Sequence, residues 1–392
     1  MHEPVFVSLL WITGAAALAP IVVGLLRGPR IPEVVLLLTL GIVIGPYGLE
    51  LAAKSEPIEL LSELGLGLLF LIAGLEIDPA SIASRTGAKA FTAWAISLVV
   101  ALGLMLLLSL VTDLPAWAAI AIALTSTALG TLLPILRDTG LKDQPIGRLV
   151  MVNGAAGELG PIVAMSVFLT GGNAWGALLS LLLFALVALL VNGAIIRHGT
   201  RAERVVEIVR HGAETTAQAP LRLVMVLLVA MLALSEAFGL DIILGAFIAG
   251  ATVRVLLPPE HEGFLARLDG IAFGLLVPVF FVTSGMGIDF RVVLDRWGTV
   301  LVLFLLIVVV RGLPVLLLFR DLPRGEPLRL ALFSATGLPI IVAVTTVAVE
   351  AGSLKVEGQS LVVAAGMLTV LVLPLLAVEL GRRSLSSESA SP

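Results

Sequence analysis

The chain has 392 residues, of which 59% are hydrophobic and 13% are charged, and its formal net charge is −4. Soluble domains carry about 25% charged residues, so this composition and a mean hydropathy of +1.11 exclude a soluble globular protein. There is no cysteine, which excludes disulfides and thiolate metal sites. The four histidines form no HExxH motif, and no residue constellation suggests an enzyme, so we expect neither a cofactor nor a resident metal.

Hydrophobic segments long enough to cross a bilayer recur along the whole chain. A spanning helix needs about 20 apolar residues, which predicts an all-α polytopic membrane protein with thirteen spans. The spans are 5–26, 31–50, 58–77, 88–111, 115–136, 146–169, 174–195, 220–238, 242–257, 271–288, 297–319, 327–349 and 359–380. Gly, Pro and Thr interrupt the fifth, sixth and twelfth, so we expect breaks there. The first span lacks the basic flank of a cleaved signal, and we expect it to be retained.

Basic residues are distributed unequally between the loops. With the N-terminus outside, the inner loops hold 19 Lys and Arg residues and the outer loops hold 4. Because cytoplasmic loops carry an excess of Lys and Arg, we predict a multi-pass protein of the inner (plasma) membrane with a cytoplasmic C-terminus. Residues 1–380 then form the transmembrane domain, and 381–392 form a short disordered cytoplasmic tail.

The two halves of the chain contain similar stretches about 209 residues apart. Four pairs lie in matching spans: Leu71–Asp78 with Phe281–Asp289, Leu40–Gly45 with Leu244–Gly250, Thr125–Pro134 with Ser334–Pro339, and Ala155–Gly157 with Ala364–Gly366. Spans 1–6 (about 5–169) would therefore repeat as spans 8–13 (about 220–380), with 174–195 as a linking helix. The copies start an odd number of helices apart, so the second copy is inverted. Inverted repeats with broken helices are common in secondary transporters.

Glu158 is the only acidic residue that the prediction places well inside a span. A charge at the bilayer centre costs about 2.5–3.5 kcal/mol on insertion scales, and such residues mark ion and proton pathways. Four nearby residues are expected to loosen the helix: Gly154, Gly157, Gly160 and Pro161. One carboxylate that binds either a cation or a proton is the simplest basis of exchange, and a purely structural ion pair is the alternative.

Arg311 is the second charge inside a span. Its guanidinium stays protonated, so it could hold Glu158 or the carbonyl groups that a helix break exposes. The alternative is that Arg311 extends to the membrane interface. Neither charge has a charged counterpart in the other repeat, where Met367 and Leu102 take the equivalent positions. This asymmetry favours a functional role over a structural one.

Polar side chains accompany the two expected breaks. Thr125, Ser126 and Thr127 lie in the fifth span, and Thr336 lies in the twelfth. Hydroxyl and backbone oxygens at a break suit a monovalent cation, although Ser and Thr also join packed helices in membranes. Asn153, five residues before Glu158, either hydrogen-bonds the site or joins two helices.

Three short stretches and the Glu158 segment resemble the monovalent cation:proton antiporters, in the branch of Kef-type potassium efflux systems and bacterial sodium/proton exchangers. The stretches are Thr125–Gly130, Leu244–Gly250 and Phe280–Met286. The resemblance implies an antiporter (NhaA-like) fold with crossed, discontinuous helices, a homodimer and alternating access. It also implies that Glu158 takes the place of the family's exchanging aspartate and Arg311 that of its intramembrane base. The residue before that aspartate is often Asp, Asn or Gln, whereas Gly157 precedes Glu158 here.

The sequence therefore predicts a secondary antiporter that exchanges Na⁺ or K⁺ for H⁺, with the lipid bilayer and no nucleic acid as a partner. One exchanging carboxylate without a second deep acid predicts electroneutral exchange. We expect the nucleotide-binding regulatory domain of Kef-type proteins to be absent. Two other functions stay open: a gated cation channel, and a proton-coupled carrier of an organic or anionic solute anchored by Arg311.

Overall fold

The structure, a computed structural model, describes residues 5–25, 32–76, 79–111, 116–168, 218–256 and 262–388. These ranges contain helices and connecting segments but no strand. Within them, nine helical spans are long and apolar enough to cross a membrane, and three shorter apolar helices accompany them. The predicted linking helix 174–195 lies outside the described residues. The chain is therefore an all-α protein with membrane-spanning helices.

The helices are numbered here in chain order. Those before residue 169 are α1 (Val5–Leu25), α2 (Glu33–Ile44), α3 (Glu56–Glu76), α4 (Pro79–Ile82), α5 (Arg85–Val111), α6 (Trp117–Leu124), α7 (Leu129–Asp138) and α8 (Pro145–Phe168). Those after residue 217 are α9 (Ala219–Ala237), α10 (Ile242–Leu256), α11 (Glu262–Ile271), α12 (Val277–Met286), α13 (Phe290–Asp295), α14 (Trp297–Ile307), α15 (Leu313–Leu318), α16 (Glu326–Ser334), α17 (Pro339–Glu350) and α18 (Val356–Glu388). Two π-helical turns, Ala272–Leu276 and Val308–Gly312, join α11 to α12 and α14 to α15.

Two of the three expected helix breaks are present. The fifth predicted span divides into α6 and α7, and the twelfth divides into α16 and α17. The expectation of a break in the sixth span was wrong, because α8 runs without interruption and contains Pro161. A proline removes one backbone donor, and here the carbonyl that loses this donor finds another partner, as described below. The last helix, α18, continues to Glu388, into the region expected to form a polar tail.

The helices fall into two compact units. The first comprises Met1–Ile58, Pro79–Met165 and Phe281–Pro392, and the second comprises Glu59–Asp78 and Ser166–Phe280. Both broken helices and all the candidate site residues belong to the first unit. In that unit the long helix α18 contacts α14, α16 and α17, while α5 contacts α6 and α15.

A cluster of buried apolar side chains fixes the end of α7 that lies away from its break. It includes Ala93, Leu132, Leu136, Val315, Phe319, Leu330 and Phe333. These side chains come from α5, α7, α16 and the segment around α15. Burial of a large apolar side chain stabilises a packed arrangement by about 1.5–3 kcal/mol in water, but inside a bilayer close packing is the main contribution. The cluster therefore fixes α7 and α16 relative to each other by shape.

Glycines bring α2 into backbone contact with the part of α12 that belongs to the first unit, from Phe281 onward. A Cβ atom on Gly41 would lie 2.1 Å from the carbonyl oxygen of Val282. A Cβ atom on Gly285 would lie 2.3 Å from the carbonyl oxygen of Leu38. Both distances are far below van der Waals contact, so any larger residue would separate the two helices. Small residues allow this close approach in membrane proteins generally.

The second unit contains an equivalent contact between α3 and α10. A Cβ atom on Gly250 would lie 1.9 Å from the carbonyl oxygen of Leu71, and one on Gly74 would lie 2.2 Å from that of Phe247. In each pair, the second helix of one predicted repeat packs on the third helix of the other. This reciprocal pairing is what an inverted repeat predicts.

Candidate functional site

The two helix breaks lie directly against each other in the first unit. The Ala128 amide donates to the Thr336 carbonyl oxygen at 2.7 Å, which joins the two interrupted backbones. A Cβ atom on Gly337 would lie 2.7 Å from the hydroxyl oxygen of Ser126, so the close approach requires glycine. Because α6, the first half of one helix, also packs on α17, the second half of the other, the discontinuous helices cross.

Helix α8 satisfies two amides of the first break. Pro161 has no amide hydrogen, so the carbonyl of Gly157 lacks its usual helical donor. That carbonyl accepts instead from the Thr127 amide at 2.9 Å. The next side chain, Glu158, accepts from the Leu129 amide through Oε1 at 2.7 Å. Leu129 begins α7, and the first amides of a helix have no partner within it, so Glu158 caps α7 from a neighbouring helix.

The environment of Glu158 acts on its charge in two opposite ways. The side chain is 4% exposed, and burial raises the free-energy cost of a bare carboxylate. The Leu129 amide and the positive end of the α7 dipole lower that cost. A carboxylate under both influences can be neutralised by a proton or a cation without losing its structural position.

Arg311 lies inside the same cluster and is fully buried, with 0% of its surface exposed. Its Nε donates to Thr127 Oγ1 at 3.0 Å, and its Nη2 donates to the Asn153 carbonyl oxygen at 2.9 Å. The guanidinium thus binds neutral oxygen atoms of the first break and of α8. A guanidinium in this position does not reach a membrane interface.

A π-helical turn, Val308–Gly312, carries Arg311. Pro314 cannot donate to the Val310 carbonyl, and the turn before it has the wider π pattern. π turns inside α-helices are frequent at functional sites. The other π turn, Ala272–Leu276, also ends two residues before a proline, Pro278. Sequence reasoning predicted neither turn, and the prolines within spans were the available signal.

The hydroxyl of Thr127 connects three elements of the site. It donates to the carbonyl oxygen of Ser334, the last residue of α16, at 2.6 Å. It also accepts from Arg311 Nε. A hydroxyl has one donor and two acceptor positions, so these two bonds use the donor and one acceptor. Thr127 therefore joins both breaks to the buried arginine.

The side chains of the other predicted polar residues form hydrogen bonds to backbone carbonyls of their own helices. The hydroxyls of Thr125 and Ser126 each donate to a carbonyl three residues earlier, at 2.8 and 2.9 Å. The Thr336 hydroxyl donates to a carbonyl four residues earlier at 3.1 Å. The side-chain amide of Asn153 likewise donates to Leu149 at 3.0 Å, so only its backbone oxygen serves Arg311.

Thr369 of α18 contacts the second break, and sequence reasoning missed it. The Gly337 amide donates to Thr369 Oγ1 at 3.1 Å, and the same hydroxyl lies 2.7 Å from the Gly366 carbonyl oxygen. The first break thus has a carboxylate beside its amides, whereas the second has a neutral hydroxyl.

Gly157 occupies a position where no side chain fits. A Cβ atom there would lie 2.1 Å from Thr127 Oγ1 and 2.8 Å from Arg311 Nη2. In the family that the sequence resembles, an acid or amide often precedes the exchanging carboxylate. Such a side chain cannot be added at position 157 without moving Thr127 and Arg311. The contacts of Thr127 and Arg311 therefore account for glycine at this position.

The sequence is similar to known membrane transport proteins. Residues 13–380 match the family described as sodium/hydrogen exchanger, transmembrane. The chain is 30% identical over 302 residues to the putative Na(+)/H(+) antiporter YjbQ of Bacillus subtilis (strain 168), covering 72% of this chain and 47% of that protein. It is 30% identical over 396 residues to the glutathione-regulated potassium-efflux system protein KefC of Escherichia coli O6:K15:H31 (strain 536 / UPEC), covering 97% of this chain and 61% of that protein. The chain thus spans less than two thirds of either relative.

The fold is similar to that of a solved antiporter. The structure of the sodium proton antiporter MjNhaP1 from Methanocaldococcus jannaschii at pH 8 aligns with a TM-score of 0.60 and 20% identity over 95% of both chains. At this identity the likeness concerns the fold alone. The family match covers most of the chain and includes both broken helices, α8 and Arg311. The chain therefore belongs to the transmembrane sodium/hydrogen exchanger family.

Proposed function

We propose that this protein is a secondary active antiporter that exchanges one monovalent cation, Na⁺ or K⁺, for one H⁺ at Glu158. The observation that carries the proposal is the hydrogen bond of 2.7 Å between Glu158 Oε1 and the first amide of α7. It places a buried carboxylate at the crossing of two broken helices. The names of YjbQ and KefC refer to sodium and potassium respectively, so both cations stay candidates for this chain.

Exchange results from competition between a proton and a monovalent cation for the Glu158 carboxylate. A carboxylate has about four lone-pair positions, so the Leu129 amide leaves Glu158 able to bind an ion. A proton or a monovalent cation each neutralises the charge, and each weakens binding of the other. Backbone oxygens at a helix break are hard ligands of the kind that bind such cations in transporters.

Arg311 keeps the site aligned and sets its charge. It links Thr127 to the backbone of α8 at Asn153, four residues before Gly157, which binds the Thr127 amide. With a bare Glu158, the two buried charges cancel. With a bound proton or a bound monovalent cation, the site carries one positive charge in either case. We infer that both loaded forms move with equal electrical cost, by alternating exposure of Glu158 to the two sides of the membrane.

Flux in liposomes tests the proposal directly. The purified full chain is reconstituted with a pH-sensitive dye in the lumen and an acidic interior, and Na⁺, K⁺ or choline is added outside. We expect Na⁺ or K⁺ to make the lumen more alkaline and choline to have no effect. Cation uptake without proton movement would indicate a channel and contradict the proposal, as would the absence of a response to both metal cations. The homodimer stays a prediction, which crosslinking in the membrane would check.

A further inference from the structure

A cavity of about 500 Å³ lies in the first unit, at the ends of α7, α8 and α16 that are opposite the helix breaks. The loop between α7 and α8, the loop before α16 and the last turns of α18 line it. At 1.5 Å per residue, the lengths of α7 and of α8 up to Glu158 place it roughly 15–20 Å from the exchange site. Nothing in the proposed exchange mechanism uses it.

Positive charge predominates in the lining of the cavity. Three arginines, Arg324, Arg329 and Arg382, line it together with one acid, Glu326. Glu326 forms an ion pair with Nη1 of Arg329. Arg324 and Arg382 are exposed, and neither forms an ion pair with any residue that the structure describes. Two positive charges therefore stay uncompensated at its mouth.

The deepest arginine, Arg329, is held in place by its surroundings. It is 6% exposed, and its Nε donates to the Ala377 carbonyl oxygen at 3.0 Å. A Cβ atom on Gly381 would lie 2.4 Å from the guanidinium carbon, so glycine makes the room that the guanidinium fills. The remaining nitrogen, Nη2, has no hydrogen-bond partner in the described part of the chain. A buried, immobilised arginine with an unused hydrogen-bond donor is typical of an anion site.

The rest of the lining suits an anionic group that belongs to an organic molecule with an apolar part. The first residues of α8 and α16 border the cavity, and the positive end of a helix dipole favours negative charge there. Apolar side chains form much of the remaining wall, namely Leu141, Ile146, Leu149, Leu322 and Val378, and the polar residues Thr139 and Gln144 also line it.

We propose that this cavity binds a phosphate group, supplied either by the headgroup of an anionic lipid or by a soluble phosphate compound. Guanidinium groups bind phosphate oxygens in pairs of charge-assisted hydrogen bonds, and Arg324, Arg329 and Arg382 surround one volume. Basic pockets between spanning helices bind lipid headgroups on the cytoplasmic side, which is the side that the loop charges predict for these residues. The inference does not depend on which cation the protein exchanges.

Thermal unfolding of the purified full chain, followed by tryptophan fluorescence, tests this site. One arm titrates sodium phosphate at millimolar concentration against sodium chloride of equal ionic strength. A second arm adds phosphatidylglycerol and compares it with phosphatidylcholine. We expect a saturable rise in melting temperature in at least one arm. A rise with phosphate identifies a soluble compound, and a rise with phosphatidylglycerol alone identifies the lipid headgroup.

A matched pair of double variants completes the test. Arg324→Gln with Arg382→Gln removes the two exposed arginines of the cavity and should weaken the apparent affinity by about tenfold or more. Arg291→Gln with Arg296→Gln removes the same charge from two exposed arginines elsewhere and should leave the affinity unchanged. No saturable shift in either arm, or equal affinity in both double variants, would overturn the proposal.

Discussion

At the scale of single residues, the proposed exchange gives Glu158 a chemical task beside its structural one. Its Oε1 satisfies the first amide of α7, which any side-chain carbonyl oxygen of the same reach could do. Only a titratable carboxylate can also exchange a proton for a cation. The two tasks can therefore be separated by substitution.

Glu158→Gln should abolish cation-dependent proton flux and leave folding intact. The glutamine oxygen still accepts from the Leu129 amide, whereas the charge is lost. Flux in liposomes and the melting temperature of the purified protein measure the two effects. Glu158→Asp is the companion variant: it keeps the charge but falls one methylene short of Leu129, so partial activity with altered cation affinity is expected. Normal flux in the Gln variant would contradict the central role of Glu158.

Gly157→Ala should impair both stability and transport. The added methyl group would meet Thr127 Oγ1 at 2.1 Å, and such overpacking typically costs about 1–3 kcal/mol. The hydroxyl would have to move away from Ser334 and Arg311. The matched control is Gly130→Ala in α7, where a Cβ atom meets nothing within 4 Å. If the two alanine variants have equal melting temperatures and fluxes, the packing described at Gly157 is wrong.

At the scale of helices, the positions of the spans could be predicted from the sequence because the bilayer fixes their length. The breaks before α7 and α17 were predictable from local composition, because Gly, Pro and hydroxyl residues cluster there. The continuity of α8 was not predictable from its composition. Pro161 leaves one carbonyl without a donor inside α8, and only the tertiary contact with Thr127 shows that this carbonyl is satisfied.

The charged residues of the candidate site could be predicted from the sequence, but their hydrogen-bond partners could not. Glu158 and Arg311 are conspicuous in any apolar sequence. Their partners are mostly backbone groups, namely the Leu129 amide and the Asn153 carbonyl. Every residue has a carbonyl, and every residue except proline has an amide hydrogen. The sequence therefore carries no signal for them. The roles of Thr125, Ser126 and Thr336 were hard to predict because a hydroxyl near a helix end can bond its own helix or a neighbour.

The turn between α9 and α10 makes a pH-dependent contribution to stability. Asp241, half-buried at the start of α10, accepts from the Ile243 amide at 2.9 Å. Burial nevertheless raises the pKa of Asp241 from 3.8 to about 6. Because the folded-state pKa is the higher one, protonation favours folding, and the stability that it provides below about pH 4 is lost as the pH rises through about 6.

Asp241→Asn should therefore raise the melting temperature at pH 8 and have little effect at pH 4. Asparagine keeps an oxygen for the Ile243 amide and carries no charge to desolvate. The gain above pH 6 should be about 1–3 kcal/mol. Melting curves between pH 4 and pH 8 measure it, with Asp295→Asn, at an exposed aspartate, as the control. A pH-independent difference between Asp241→Asn and the native chain would contradict burial of the charge.

At the scale of the whole molecule, the count of buried acids sets the electrical character of transport. In the part of the chain that the structure describes, Glu158 is the only acidic residue that is buried, whereas Asp241 lies half-buried in the turn between α9 and α10. Arg311 cannot release its proton in the relevant pH range. One carboxylate that holds either one proton or one monovalent cation moves no net charge per cycle.

Exchange should therefore be electroneutral. In liposomes with a gradient of a membrane-permeant lipophilic ion to impose a membrane potential, uptake of Na⁺ or K⁺ should follow the pH gradient and not respond to the potential. Accumulation driven by the potential alone would require a second proton carrier and would contradict the single-carboxylate mechanism. Choline in place of Na⁺ serves as the control for leak.

The glycine contacts between α2 and α12, and between α3 and α10, limit how such a protein can move. In each pair a carbonyl oxygen occupies the space of a missing side chain, so no layer of adjustable rotamers lies between the two helices. Sliding one helix along the other would drive the next side chain into that carbonyl. The two helices of each pair must therefore move together as one rigid body. The motion that the proposed alternating access requires has to occur along surfaces where flexible side chains meet.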